Sequence, residues 1–196
     1  GCRIPGNKLA KKLITLFGLP IAAPSANLSE RTSVTNIMDI DPILVKKIFV
    51  LKDKQSSHGL ESTVVRIDTN NEIEVLRYGS ITVEELNKYA KVKIKKKSSI
   101  SPGNLKKHYS TLKPIRMNAK RILKNEGLLN FGNNKLKSKI INLNLSNKKN
   151  LNEAAKNFYH YLHKLDQSRC KKIAVVEIPD KGLGKTINDR LRRAIK

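Results

Sequence analysis

Ser25 and Asn27, two residues apart in Ala23-Pro24-Ser25-Ala26-Asn27, offer a hydroxyl and an amide at the end of a short apolar run. In an extended chain such a pair shares one face, so both side chains address the same ligand. Downstream, His58-Gly59-Leu60-Glu61-Ser62-Thr63-Val64-Val65 sets a carboxylate and two hydroxyls before an apolar run, and Leu76-Arg77-Tyr78-Gly79 ends another run on a guanidinium. Arg77 is a forked donor suited to phosphate or carboxylate, and Arg3, in Gly1-Cys2-Arg3-Ile4-Pro5, is a second one on a loop. Hydroxyls, amides and guanidiniums at strand ends are what the ligand crevice of an open α/β sheet presents. Each has a plainer reading when taken alone. Ser25 and Asn27 suit an ordinary turn, Arg77 an edge-strand surface, and Glu61 could serve an amine, a metal or a nearby arginine.

The elements that must position these groups follow from periodicity and punctuation. Residues 8–17 read as a helix with Leu9, Leu13, Leu16 and Phe17 on one face and Gly18 as its stop. Residues 20–23 read as a short buried strand that delivers Ser25 and Asn27, and residues 48–51 as another. Asp41-Pro42 predicts a helix start, with Asp as cap and Pro at the first helical position. Residues 62–68 and 73–77 are β-rich runs joined by an Asn70-Asn71 turn, and Thr82 with Glu85 forms a capping box.

Turn chemistry at Ser101-Pro102-Gly103, after the charged stretch from Lys95, predicts an interdomain linker over residues 97–113. Beyond it, Asn150 and Glu153 open a helix bearing Leu151, Ala155, Phe158, Leu162 and Leu165. Residues 173–178 form an apolar run of the kind buried in a parallel sheet, 179–184 a loop, and 187–195 a last helix.

Composition bounds the possibilities. The 196 residues carry 40 Lys plus Arg against 16 Asp plus Glu, a net charge of +24. The excess is spread along the whole chain, so its size reads as a lysine-rich compositional bias, though it still favours anionic partners over cationic ones. With 5% aromatic residues, a stacking platform for single-stranded nucleic acid is not indicated. No apolar run reaches the length of a membrane span. Two cysteines far apart, Cys2 and Cys170, make no disulfide framework, and no charged-then-apolar leader opens the chain, so a reducing cytoplasm is the expected location.

Two motifs mislead. Gly182-Leu183-Gly184-Lys185-Thr186 suggests a P-loop, but Pro179 stands where that pattern needs its first glycine, so a tight strand-to-helix turn is the better reading. His160 and His163 lie one helical turn apart without a third ligand nearby, which favours solvated or packing histidines over a metal site.

In order, GxRxP, PSAN, GxESTV and LRxG resemble the active-site signature of the YrdC-like threonylcarbamoyl-AMP synthases. Ser101-Pro102-Gly103 followed by His108-Tyr109-Ser110 is similar to the linker of the long, two-domain form, with Pro114 displaced from its usual place. The ending from Gly182 through Asn188-Asp189-Arg190-Leu191-Arg192-Arg193-Ala194 resembles the C-terminal signature of that form.

The resemblance implies an α/β chain: part of a YrdC-like open twisted sheet over residues 1–96, the linker, and a small Rossmann-like α/β domain over 114–196. It implies a nucleotidyltransferase that joins ATP, bicarbonate and L-threonine into threonylcarbamoyl-AMP and pyrophosphate. Other proteins then pass the threonylcarbamoyl group to an adenosine in tRNA. Arg3, Ala23 and Ser62 would bind threonine; Ser25, Asn27, Ser33 and Arg77 would contact ATP; His108 and Tyr109 would act as a lid. No covalent nucleophile is implied, because the substrate's own carbamate attacks. Mg²⁺ is expected on the nucleotide phosphates, with no protein cage for it in the sequence.

The family's Lys-x-Arg and Ser-x-Lys-Pro phosphate-binding segments do not occur here, so the chain reads as N-terminally truncated and, on its own, inactive as a synthase. The rival reading is a non-catalytic module that grips duplex RNA by its backbone.

Overall fold

The computed structural model describes residues 2–23, 26–28, 31–51, 56, 58–94 and 109–195. Its first helix, α1 (Lys8–Phe17), keeps the expected bounds. The Asn7 side chain accepts from the Ala10 amide, and Gly18, at φ 74°, returns its own N–H to the Ile14 carbonyl. The left-handed turn at Gly18 is one that a side chain would disfavour. The apolar face of α1 is nevertheless exposed, with Leu16 at 77%. A four-residue helix, α2 (Pro42–Val45), starts as read, with the Asp41 carboxylate accepting from the Ile43 amide.

Two expected strands do not form. Residues 20–23 and 48–51 are irregular, and Phe49 is 91% exposed. Short apolar runs become strands only when another strand satisfies their backbone groups. Among the described residues none pairs with either run.

The first sheet has three strands in the order β1 (Val64–Ile67), β2 (Ile73–Arg77) and β3 (Val92–Ile94), antiparallel then parallel. The turn between β1 and β2 is organised by the Asp68 carboxylate, which accepts from the Asn70 and Glu72 amides, with Asn71 at φ 57°. A short helix, α3 (Val83–Leu86), begins with the predicted capping box of Thr82 and Glu85.

The second sheet is parallel throughout: β4 (Ile115–Arg116), β5 (Glu126–Asn130), β6 (Asn142–Asn144) and β7 (Lys172–Val175), in the order β4-β7-β5-β6. The α/β class expected from the sequence is the class observed. Two long helices pack with this sheet, α4 (Leu151–Gln167) and α5 (Leu183–Ala194). α4 buries Ala155, Phe158, Tyr159, Leu162 and Leu165 in one core with Leu128, Leu129, Ile173, Ile187 and Leu191.

The apolar run at 173–178 leaves the sheet after Val175, although Val176 and Ile178 remain buried. The last helix starts at Leu183, four residues earlier than the glycine-rich sequence suggests. Gly184 explains the early start: a Cβ there would sit 2.0 Å from the Pro179 carbonyl oxygen, so the close turn needs glycine despite its poor helix propensity.

Among the described residues no helix is long and apolar enough to cross a membrane, and no group of three or more His, Cys, Asp or Glu is placed to hold a metal ion. The two histidines of α4 make polar contacts with residues that precede the first sheet. His160 Nδ1 lies 3.0 Å from Asp39, and His163 Nε2 lies 3.1 Å from the Thr32 hydroxyl. Cys170 is buried and unbridged.

Candidate functional site

The segment before β1 is gripped from one side by α4. Gly59, at φ 67°, presses so closely that a Cβ would fall 2.3 Å from the Ala155 carbonyl oxygen, and Leu60 enters the core of the second sheet. The next residues are laced to the end of β2. Ser80 donates its amide to the Glu61 carbonyl at 2.8 Å, and the Thr63 hydroxyl donates to the Ile81 carbonyl at 2.6 Å. Gly79 is buried directly against this strand tip; a Cβ there would lie 2.2 Å from the Thr63 nitrogen.

The β1–β2 register shifts at this end, with Val64 opposite Arg77 but Val65 opposite Val75. Such a bulge re-aims side chains, and bulges are common beside active sites. Here the Arg77 guanidinium donates to the Ser62 carbonyl from Nε at 3.3 Å and from Nη2 at 2.9 Å. From a third segment Arg3 Nη1 donates to the Ser62 hydroxyl at 2.9 Å. Two guanidiniums from distant parts of the chain thus meet at one serine.

Glu61, beside Ser62, is the hub behind them. One carboxylate oxygen accepts from the Ser33 hydroxyl and, at 2.6 Å, from the Tyr159 hydroxyl; the other accepts from Arg190 Nε at 2.9 Å. Burial by itself would push the Glu61 carboxyl up, but the Arg190 charge and these hydrogen bonds outweigh it and hold the carboxyl below its ordinary range. The same surroundings push Tyr159 well above the usual phenol range, through burial first and the Glu61 charge second. Tyr159 and Arg190 therefore act as fixed donors at neutral pH.

Arg190 also donates to the Tyr78 carbonyl at 2.6 Å, and its guanidinium carbon lies 4.7 Å from the centre of the Tyr109 ring. Tyr109 is only 2% exposed.

The structure therefore brings together Arg3, Ser62 and Arg77, joins Ser33 to them through Glu61, and ties Tyr109 in through Arg190. Asn27 is used locally, donating to the Leu28 and Arg31 carbonyls, which is the turn-former's role. Ala23 is exposed on an irregular stretch rather than on a strand. Ser25 and His108 lie outside the described residues.

Sequence reasoning missed Arg190, Tyr159 and Thr186 as parts of this cluster. A readable signal existed for the first: Arg190 falls among Ile187, Leu191 and Ala194 on the apolar stripe of α5, where an unpaired charge is untenable. The Lys185 and Thr186 of the false P-loop also face the first sheet. Lys185 Nζ sits 5.0 Å over the Tyr78 ring, and the Thr186 hydroxyl donates to the Gly79 carbonyl at 3.0 Å.

A cavity of about 450 Å³ beside β5 and β6 shares no residue with this cluster, and its Asn130, Asn142 and Asn144 are hydrogen-bonded to the segment that joins those two strands.

Comparison with known proteins shows the family of the chain. Residues 81–195 match the family model described as threonylcarbamoyl-AMP synthase, C-terminal domain, and residues 1–79 match one described as telomere recombination. The threonylcarbamoyl-AMP synthase of Pyrococcus abyssi is 26% identical and that of Bacillus subtilis 29%, each covering 98% of this chain and 62% of its own length. The crystal structure of P. abyssi Sua5 complexed with L-threonine superposes with a TM-score of 0.83 at 25% identity, over 98% of this chain and 62% of that one. The chain thus spans about three fifths of the length of these relatives. With one model reaching residue 79, the other starting at 81, and a superposition running through both sheets, the chain belongs to the threonylcarbamoyl-AMP synthase family.

Proposed function

We propose that this chain serves the synthesis of threonylcarbamoyl-AMP for tRNA modification. The amine of L-threonine and bicarbonate combine with loss of water to a carbamate. A carbamate oxygen then attacks the α-phosphorus of ATP, and pyrophosphate leaves. Arg3 and Ser62, with the backbone near Ala23, take the amino acid. Ser25, Ser33 and Arg77 take the nucleotide, with Asn27 holding its own turn, and the linker at His108 and Tyr109 covers both with the Tyr109 ring anchored on Arg190.

The observation that carries this reading is the junction at Ser62. A residue assigned to threonine (Arg3) and one assigned to the nucleotide (Arg77) converge on it, at 2.9 Å each. A reaction that joins two substrates needs their subsites to adjoin in this way. The related P. abyssi structure, a complex with L-threonine, supports the amino-acid half.

Catalysis here is positional. The guanidiniums hold the carbamate near the α-phosphorus and balance charge as it develops on phosphate oxygens. The carboxylate at the centre, Glu61, is already taken up by Ser33, Tyr159 and Arg190, so Mg²⁺ would be held through the nucleotide phosphates. The ion would travel with the nucleotide.

Isothermal titration with threonylcarbamoyl-AMP tests the proposal. Removing charge-assisted hydrogen bonds costs about 1.5–3 kcal/mol, so Arg77→Ala should weaken Kd roughly 10- to 100-fold, with little dependence on salt. Equal affinities in the two proteins would refute it. So would an absence of saturable adenylate binding alongside RNA affinity that falls steeply with salt.

A further inference from the structure

We infer that Arg190, at the far end of the chain, is a positioning residue for this site: it fixes the separation of the strand tips that carry Ser62 and Arg77. The inference rests on the functional reading above and extends it to a residue of the second sheet's domain.

Burying a guanidinium completely is costly, and a Leu or Met would fill the stripe of α5 with less penalty. Arg190 is 0% exposed. What its fork does that an apolar residue could not is hold two points on different segments. Nε reaches the Glu61 carboxylate, next to Ser62, and Nη2 reaches the Tyr78 carbonyl, next to Arg77. Nη1 is held by Asp189, which fixes the plane of the fork. A lysine, with one ammonium, cannot span both points at once.

One helical turn earlier, on the same face of α5, Thr186 holds the Gly79 carbonyl. On the other side Gly59 and Leu60 are seated on α4 and its core. The loop bearing Ser62 is therefore fixed from both long helices of the second unit. The Tyr109 ring covering the guanidinium brings the chain that enters this unit into the same junction.

Hydrogen exchange and ligand titration on the whole chain test this together, using Arg190→Lys, Thr186→Val and, as control, the exposed Arg192→Ala. The Ser80 and Ile81 amides report tip separation, since they bond to the Glu61 carbonyl and the Thr63 hydroxyl. The Leu128 and Leu129 amides in β5 report the stability of the second unit.

Arg190→Lys should speed exchange at Ser80 and Ile81 at least tenfold while β5 keeps its protection. It should also weaken threonylcarbamoyl-AMP binding about tenfold. Thr186→Val, nearly isosteric, should move the same amides less, and Arg192→Ala should move none. Unchanged tip amides in both test variants would overturn the inference. So would tip and β5 amides accelerating together, because that marks a merely structural role, or affinity unmoved while the tips open. If the unaltered chain does not bind threonylcarbamoyl-AMP, the functional reading fails, and the exchange arm still judges whether Arg190 sets the tips.

Discussion

Gly79→Ala is the sharpest single perturbation of this site. Its Cβ would stand 2.2 Å from the Thr63 nitrogen, 2.3 Å from the Ser62 carbonyl carbon and 2.5 Å from the Glu61 oxygen. All three atoms are backbone, so no rotamer change relieves the clash. Ordinary contact needs roughly 1 Å more, and the one available movement is to drive the Ser62 tip away from the end of β2. Overpacking of this kind costs about 1–3 kcal/mol, a fall in Tm of roughly 2–12 °C for a chain of this size.

The same displacement stretches the bonds from Arg77 to the Ser62 carbonyl, so adenylate affinity should fall beyond what lost stability explains, by about 10-fold or more at temperatures where the fold is intact. Differential scanning fluorimetry and titration calorimetry read the two effects separately. Gly6→Ala, where a Cβ meets nothing within 4 Å, is the matched control. A Gly79→Ala protein with unaltered Tm and Kd would show that the strand tips tolerate separation, and the geometric account of the site would fail.

Tyr159→Phe removes one donor from a buried carboxylate and should cost about 1–3 kcal/mol in thermal unfolding; no measurable loss would mean that Ser33 and Arg190 suffice for Glu61. The Glu61 carboxyl is held below its ordinary value of 4.5. The unfolded chain therefore binds the proton more readily in the window beneath that value. Glu61's contribution should be complete above pH 4.5 and be lost as pH falls through the folded value, so urea midpoints of the wild type should drop more steeply below pH 4.5 than those of Glu61→Gln. Parallel midpoint curves for the two proteins would contradict the assigned ionisation.

The elements legible in the sequence were those with local causes. α1 and α4 carry their own caps, Asn7 and Asn150, and a 3.6-residue apolar period. The β1–β2 pair is punctuated by Asp68 through Glu72, whose side-chain-to-backbone bonds make the turn. Residues 20–23 and 48–51 carry the same apolar signal as a strand, but their state depends on a neighbour, which no local pattern encodes. The early start of α5 likewise turns on one distant atom, the Pro179 carbonyl oxygen against Gly184.

The site divides along the same line. Ser62 and Arg77 were visible because one stands just before an apolar run and the other ends one, and the fold brings those two ends together. The Glu61–Arg190 pair spans 129 positions, and neither residue announces the other. What each does announce is a cost: a carboxylate with 17% of its side chain exposed and a guanidinium with none. Such a pair is weak evidence for stability, since apolar replacements pack as well. Its value lies in direction. An apolar contact between α5 and the strand tips would tolerate sliding by a few tenths of an ångström, whereas a fork bonded to a carboxylate and a carbonyl on two segments does not. A site that works by placing two substrates against each other gains from that intolerance, which gives a physical reason for a charged residue in the middle of a core.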